Sequence, residues 1–126
     1  MTTLTLPYPP SVNSIWRNFG GRTILSKEGR EYRLSVAQAV HAQNGPQLGT
    51  IRLEVLVEVF APDRRRRDLD NVFKAAGDAL VHAGVIDDDS QIDALLVVRR
   101  PLDRNHPRLV VTLREAHSHE SPKEAA

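Results

Sequence analysis

Between residues 51 and 83 the chain changes its hydrophobic period once, and that switch limits the folds open to it. Ile51, Leu53, Val55, Val57 and Val59 alternate with Arg52, Glu54, Leu56, Glu58 and Phe60, the two-residue repeat of a strand. Beyond it, Leu69, Val72, Phe73, Ala76, Leu80 and Ala83 recur at three- and four-residue spacing, the mark of one buried helical face. Gly84 suits the position just past the helix end, after His82 near its negative pole. A strand over 50–60 therefore runs directly into a helix that starts near Asp68 and ends near Ala83.

The joint between the two is Asp63-Arg64-Arg65-Arg66-Arg67-Asp68-Leu69-Asp70-Asn71, with Lys74 and Asp78 following. The arginines sit at the positive end of the helix dipole, which is the wrong end for cations. A run like this calls for an anion, and a phosphate backbone matches both the arginine forks and the helix N-terminus. Asp68 and Asp70 have a plainer reading as an N-cap and a first-turn residue, each worth up to about 1 kcal/mol. Within a helix, residues two apart lie about 200° around the axis, so the pair can converge on one metal only if Asp68 is still extended. Lys74 follows Asp70 by four and Asp78 follows Lys74 by four, a spacing that also suits ordinary surface pairs.

Residues 2–7 alternate apolar and hydroxyl side chains and read as a first strand, ended by Pro7, Pro9 and Pro10. The stretch 11–21 has no clean period, and Arg22 to Leu25 reads as a short strand. Trp16, the single tryptophan, reads as a core anchor or as a base-stacking platform. Ser26 is an N-cap for a helix to about Gln43, with Tyr32, Val36, Ala39 and Val40 inward. Lys27, Arg30 and Arg33 then form a solvated face, open to phosphate contact. Asn44-Gly45-Pro46 stops that helix. Ile92 to Arg100 is apolar on both faces, as an interior strand would be. Residues 101–107 make a hairpin-like connection to a last strand, Leu109 to Arg114. Leu56, Phe60, Leu95 and Val97 offer apolar surface for a dimer, unless the helices cover them.

Before the 92–100 strand come Asp87, Asp88 and Asp89, three adjacent acids that repel one another. A turn cap explains one of them; a divalent cation would relieve the rest, and magnesium prefers carboxylate oxygens. Net charge is only +1, so any nucleic-acid affinity rests on local clustering such as Arg64 to Arg67. Cysteine is absent, which excludes disulfides, thiolate zinc sites and a cysteine nucleophile. No stretch approaches the roughly 18 apolar residues of a membrane span, and no signal-peptide pattern opens the chain, so an intracellular protein is expected. The 126 residues suit one small α/β (α+β) domain over 1–115, a mixed sheet of about four to five strands with two helices, and a flexible tail over 116–126.

Pro9-Pro10-Ser11-x-Asn13, the run from Arg64 through Asp68-x-Asp70-Asn71-x-x-Lys74-Ala75, Asp78-Ala79-Leu80, and Gly84-Val85-Ile86-x-Asp88-Asp89-Ser90-Gln91-Ile92 together resemble the RusA family of Holliday-junction resolvases. The likeness runs from the first strand to Arg114. The family's acidic turn usually shows two adjacent acids; counting back from Ser90-Gln91 matches them to Asp88 and Asp89 and leaves Asp87 as the extra.

The resemblance implies a cytoplasmic, bacterial or prophage-encoded homodimer that nicks four-way DNA junctions with magnesium, manganese being a substitute. It implies catalytic roles for Asp68, Asp70, Asp89 and Lys74, with Asp68, Asp70, Asp89 and Asp88 as the metal-ligating set. It implies DNA contacts at Arg64, Arg65, Arg66, Arg67 and Lys74, joined by Arg17 and Asn13 from the loop. On this reading three carboxylates and a lysine gather at or beside one helix entry. A non-catalytic nucleic-acid-binding module explains the arginines equally well but leaves the carboxylates unexplained. A phosphohydrolase acting on small molecules would want a glycine-rich phosphate loop or a His-Asp metal motif, and neither is present.

Overall fold

The computed structural model of the protein describes residues 1–117, with Val12 and Asn13 described by backbone alone. In order come β1 (Thr2–Pro7), α1 (Val12–Ile15), β2 (Trp16–Phe19), β3 (Arg22–Leu25), α2 (Lys27–Ala42), β4 (Leu53–Phe60), α3 (Leu69–His82), β5 (Ile92–Arg99) and β6 (Arg108–Glu115), with a 3-10 turn at Asp89–Gln91. Four strands form a mixed sheet in the order β1-β6-β4-β5, and β2 with β3 forms a separate ribbon. With its two long helices the protein is an α+β domain. The segment expected to be a tail lies outside the described residues from 118 onward.

The alternation read in β4 decides the layering. Leu53, Val55, Val57 and Val59 are buried, and in register beside them lie Leu109, Val111 and Leu113 of β6, then Leu4 and Leu6 of β1. Onto this face pack Tyr32, Val36 and Val40 of α2 and Val72, Ala76, Ala79 and Leu80 of α3. Burying a valine or leucine side chain contributes about 1.5–3 kcal/mol, so this face supplies most of the folding drive.

Local signals set the helix ends. Ser26 accepts from the Gly29 amide at 3.0 Å while its hydroxyl donates to the Ser14 carbonyl, which ties the start of α2 to α1. At the far end of α3, Gly84 (φ 82°) donates to the Val81 carbonyl and Val85 to the Leu80 carbonyl, closing the helix with a left-handed residue.

The structure corrects several expectations. The unpatterned stretch 11–21 folds as one helical turn and the first strand of a ribbon, turned by Gly20 and Gly21, both at positive φ. The long strand begins at Leu53, because Ile51 is held in a turn by Gln91, which donates to its carbonyl. β5 is an edge strand, parallel to β4. Its apolar residues on both faces reflect partial cover, Leu96 being 60% exposed. The 101–107 connection is no hairpin: β4 lies between β5 and β6, and the loop crosses its end, where Asp103 donates its amide to the Ala61 carbonyl. Leu56 and Leu96 share the open face of the sheet, whereas Leu95 and Val97 align with Val55 and Val57 on the helix side. Arg33 is not simply solvated, nor does Asp78 pair with Lys74; Arg33 donates twice to Asp78, at 2.8 and 2.9 Å, and joins the two helices.

Candidate active site

β4 ends at Phe60, and the loop that follows is organised by Asp63. Its carboxylate accepts from the Arg65 amide at 2.9 Å and meets the Arg67 guanidinium at 2.7 Å. The Arg65 amide first, and then Arg67, hold that carboxyl below the usual carboxylate range. Arg67 also donates to the carbonyls of Asp63 and Arg65 and lies over the Tyr8 ring, 5.4 Å from its centre. Arg99, at the end of β5, donates to the Arg67 carbonyl. Arg67 is therefore an internal brace of the loop. Arg65 is exposed and only 3.9 Å from Asp63, while Arg64 and Arg66 are exposed and make no ion pair among the described residues.

Asp68 stands at the N-cap of α3 with extended backbone, φ −85° and ψ 131°, yet its side chain makes no capping hydrogen bond. Its carbonyl starts the helix, accepting from Val72, so the carboxylate is not spent on the cap. Asp70 follows in the first turn and accepts from the Asn71 amide at 3.0 Å. This is the arrangement, extended then helical, that lets two carboxylates so spaced approach each other. Four residues on, Lys74 places its ammonium over the Trp16 ring, 5.5 Å from the centre. A cleft of about 720 Å³ opens beside the helix entry, lined by Tyr8, Arg65, Arg66, Arg67, Asp68 and Asn71.

The acidic turn lies elsewhere. Asp88 caps the 3-10 turn by accepting from Ser90, and hydrogen bonds from Ser90 lower its pKa. Gln91 is buried and saturated: its oxygen accepts from the amides of Asp87 and Asp88, and its nitrogen donates to the carbonyls of Gly49 and Ile51. The turn is thereby fixed at the Leu53 end of the sheet, while Asp68 lies near Arg99 at the other. The 14 residues of α3 separate the two ends, on the order of 20 Å at about 1.5 Å per residue. Asp68, Asp70 and Lys74 stand at the N-cap and in the first turns of α3; Asp87, Asp88 and Asp89 are exposed beyond the exit of the same helix. No group of three His, Asp or Glu side chains able to hold a metal ion occurs among the described residues.

Arg17 is exposed on the ribbon, and the side chain of Asn13 lies outside the described residues. Two contributors, Tyr8 and Arg99, escape the sequence reading, which leaves Trp16 as a core anchor or a stacking platform. Tyr8 and Trp16 each bury a polar atom, the phenol oxygen and the indole nitrogen, without a hydrogen-bond partner among the described residues, and burial raises the Tyr8 pKa. Arg99 ties β5 to the arginine loop. The cue for Tyr8 was its place against the Pro9-Pro10 pair, and for Arg99 the Arg99-Arg100 doublet at a strand end.

No helix of the described residues is long and apolar enough to cross a membrane. The family model of endodeoxyribonuclease RusA matches residues 7–114. A crossover junction endodeoxyribonuclease of Enterobacteria phage HK97 is 43% identical over 94 residues, 75% of this chain and 78% of the relative. The crossover junction endodeoxyribonuclease RusA of Escherichia coli (strain K12) is 42% identical over 113 residues, 90% of this chain and 93% of that protein. The corresponding protein of Enterobacteria phage 82 is 41% identical over 112 residues, covering 89% and 92%. With the match spanning the ribbon, β4, the arginine loop, α3, the acidic turn and β5, the chain belongs to the RusA endodeoxyribonuclease family.

Proposed function

We propose that this protein is a cytoplasmic endonuclease that resolves four-way DNA junctions in recombination and repair by paired, symmetric nicks, with magnesium as cofactor or manganese in its place. The observation that carries the reading is the helix entry: an N-cap aspartate that does not cap, a first-turn aspartate and a lysine four residues on, behind exposed arginines. The hard carboxylate oxygens of Asp68 and Asp70 suit a magnesium ion, though two ligands are half a site. When bound, the metal would polarise the phosphate and acidify the attacking water.

The chain's own groups do the remainder. Arg64, Arg65 and Arg66 hold backbone phosphates without reading bases, which makes binding salt-sensitive and nearly sequence-independent. Arg67 keeps the loop that carries them in shape. Lys74, steadied by Trp16, meets the negative charge that develops on the phosphate.

The third carboxylate, Asp89, cannot join Asp68 and Asp70 within one chain, because α3 holds them apart. A two-fold dimer removes the difficulty if the partner's Asp89, with Asp88 beside it, closes each site; the junction needs two nicks, and such a dimer has two sites. Incubating the protein with magnesium and a synthetic four-way junction tests the reading. Paired nicks in strands of like polarity are expected, with plain duplex left intact and Asp70→Asn binding without cutting. Tight binding with no cutting at any magnesium or manganese concentration would instead make the protein a binding module.

A further inference from the structure

The first 27 residues contain no acidic side chain, and the β2–β3 ribbon within them carries Arg17 and Arg22. Its antiparallel register, from Trp16 opposite Leu25 to Phe19 opposite Arg22, sorts the side chains onto two faces. On one face Trp16 and Leu25 pack against the core, and Thr23 donates to Asn18 at 3.2 Å. On the other stand Arg17, Phe19, Arg22 and Ile24, all exposed, with Phe19 74% accessible. Neither arginine makes an ion pair among the described residues. Beyond them the tip is Gly20-Gly21, where no side chain hinders close approach of a polymer.

An exposed phenyl ring with Arg22 across the ribbon and Arg17 two places back on its own strand suits a partner that is apolar and flat where it meets the ring and anionic alongside. A second copy of the same ribbon is disfavoured, since docking two would bring four arginines into one interface with no acidic side chain from either ribbon to pair them. A nucleic acid has the matching chemistry: a base presents a π-face, and phosphates flank it. The ribbon is also in the right place. Trp16 at its base holds Lys74, and three strand residues, about 10 Å, carry the chain from there to Phe19, the span of roughly three stacked bases.

We propose that the outward face of this ribbon is the branch-point reader: Phe19 stacks on a base left uncovered where strands exchange, while Arg17 and Arg22 hold the adjacent phosphates. This rests on the junction-cutting function above and adds to it a means of telling a branch from continuous duplex. Inside duplex DNA each base face is covered by its neighbour, so Phe19 finds no partner there. At an opened crossover it does.

The test compares wild type, Phe19→Ala and Phe19→Trp, as full chains in EDTA so that nothing is cut. Affinities are measured for a four-way junction and for duplex of the same sequence, and 2-aminopurine is placed at the branch-point positions. Loss of a base–aromatic stack predicts that Phe19→Ala weakens junction binding roughly five- to a hundredfold while duplex binding stays within about twofold. Binding by wild type should change the 2-aminopurine fluorescence, Phe19→Ala should abolish that change, and Phe19→Trp should restore it. Equal losses on both DNAs, an unchanged junction preference, or a shift of Phe19→Ala toward monomer in sedimentation would each overturn the inference. A wild-type protein with no preference for junction over duplex would overturn the proposed function instead.

Discussion

Gln91 is where a single substitution should separate folding from chemistry. Its side chain, 5% exposed, accepts from the amides of Asp87 and Asp88 at 2.9 and 3.0 Å and donates to the carbonyls of Gly49 and Ile51 at 2.8 and 2.7 Å. An intramolecular hydrogen bond contributes about 1 kcal/mol net, so Gln91→Ala, which removes four, should destabilise the fold by about 4 kcal/mol, less whatever water recovers. Gln91→Glu keeps the shape and the two amide contacts but faces two carbonyls with an acceptor. Its expected cost is about 2 kcal/mol or more. Urea unfolding followed by far-ultraviolet circular dichroism measures both. Single-turnover junction cleavage at a temperature where Gln91→Glu remains folded measures the second consequence, because Asp89 sits on the turn that Gln91 holds. The rate should fall while junction affinity is kept. A loss below about 1 kcal/mol for Gln91→Ala would refute the claim that this residue locks the acidic turn.

Gly29→Ala should cost roughly 1–3 kcal/mol in the same unfolding assay, since a methyl there would meet the Leu25 side chain at 2.6 Å and the Ile15 carbonyl at 2.8 Å. Replacing Arg64 and Arg66 with alanine should weaken junction binding and lower its salt slope by roughly one unit per lost phosphate contact, read from a titration of affinity against salt. Asp63 has a depressed carboxyl pKa in the fold, so its contribution is complete above the ordinary value of 3.8 and is lost as pH falls through the lower folded value. Acid titration should therefore show the arginine loop, followed by amide exchange of Arg65, opening in Asp63→Asn at a pH where the wild type keeps it closed.

Elements whose cause is local were legible in the residues. The β4 alternation, the α3 apolar face, the Ser26 cap and the Gly84 terminus each depend on neighbours a few residues away. What escaped depends on pairing across the chain. β5 carries apolar residues on both faces whether it is an edge or interior, and only β6 inserting on the far side of β4 makes it an edge. Arg33 and Asp78 lie 45 residues apart, so neither could be recognised as the other's partner. Phe19 belongs to a ribbon too short for a visible period. The separation of Asp89 from Asp70 was accessible in principle: a helix of 14 residues puts whatever follows it one helix length away. Motif order along the chain concealed this, because residues that function together need not meet in one copy.

That point can be tested by mixing two inactive chains. Asp70→Asn and Asp89→Asn are each expected to bind a four-way junction without cutting it. When they are co-refolded into mixed dimers, a site shared between copies takes Asp70 from one chain and Asp89 from the other, so half of the sites in each mixed dimer are intact. The predicted result is magnesium-dependent single nicks from the mixture and none from either variant alone. If the mixture is as inactive as its components, although mixed dimers are shown to form, Asp89 does not complete the partner's site and the account of the active centre is wrong.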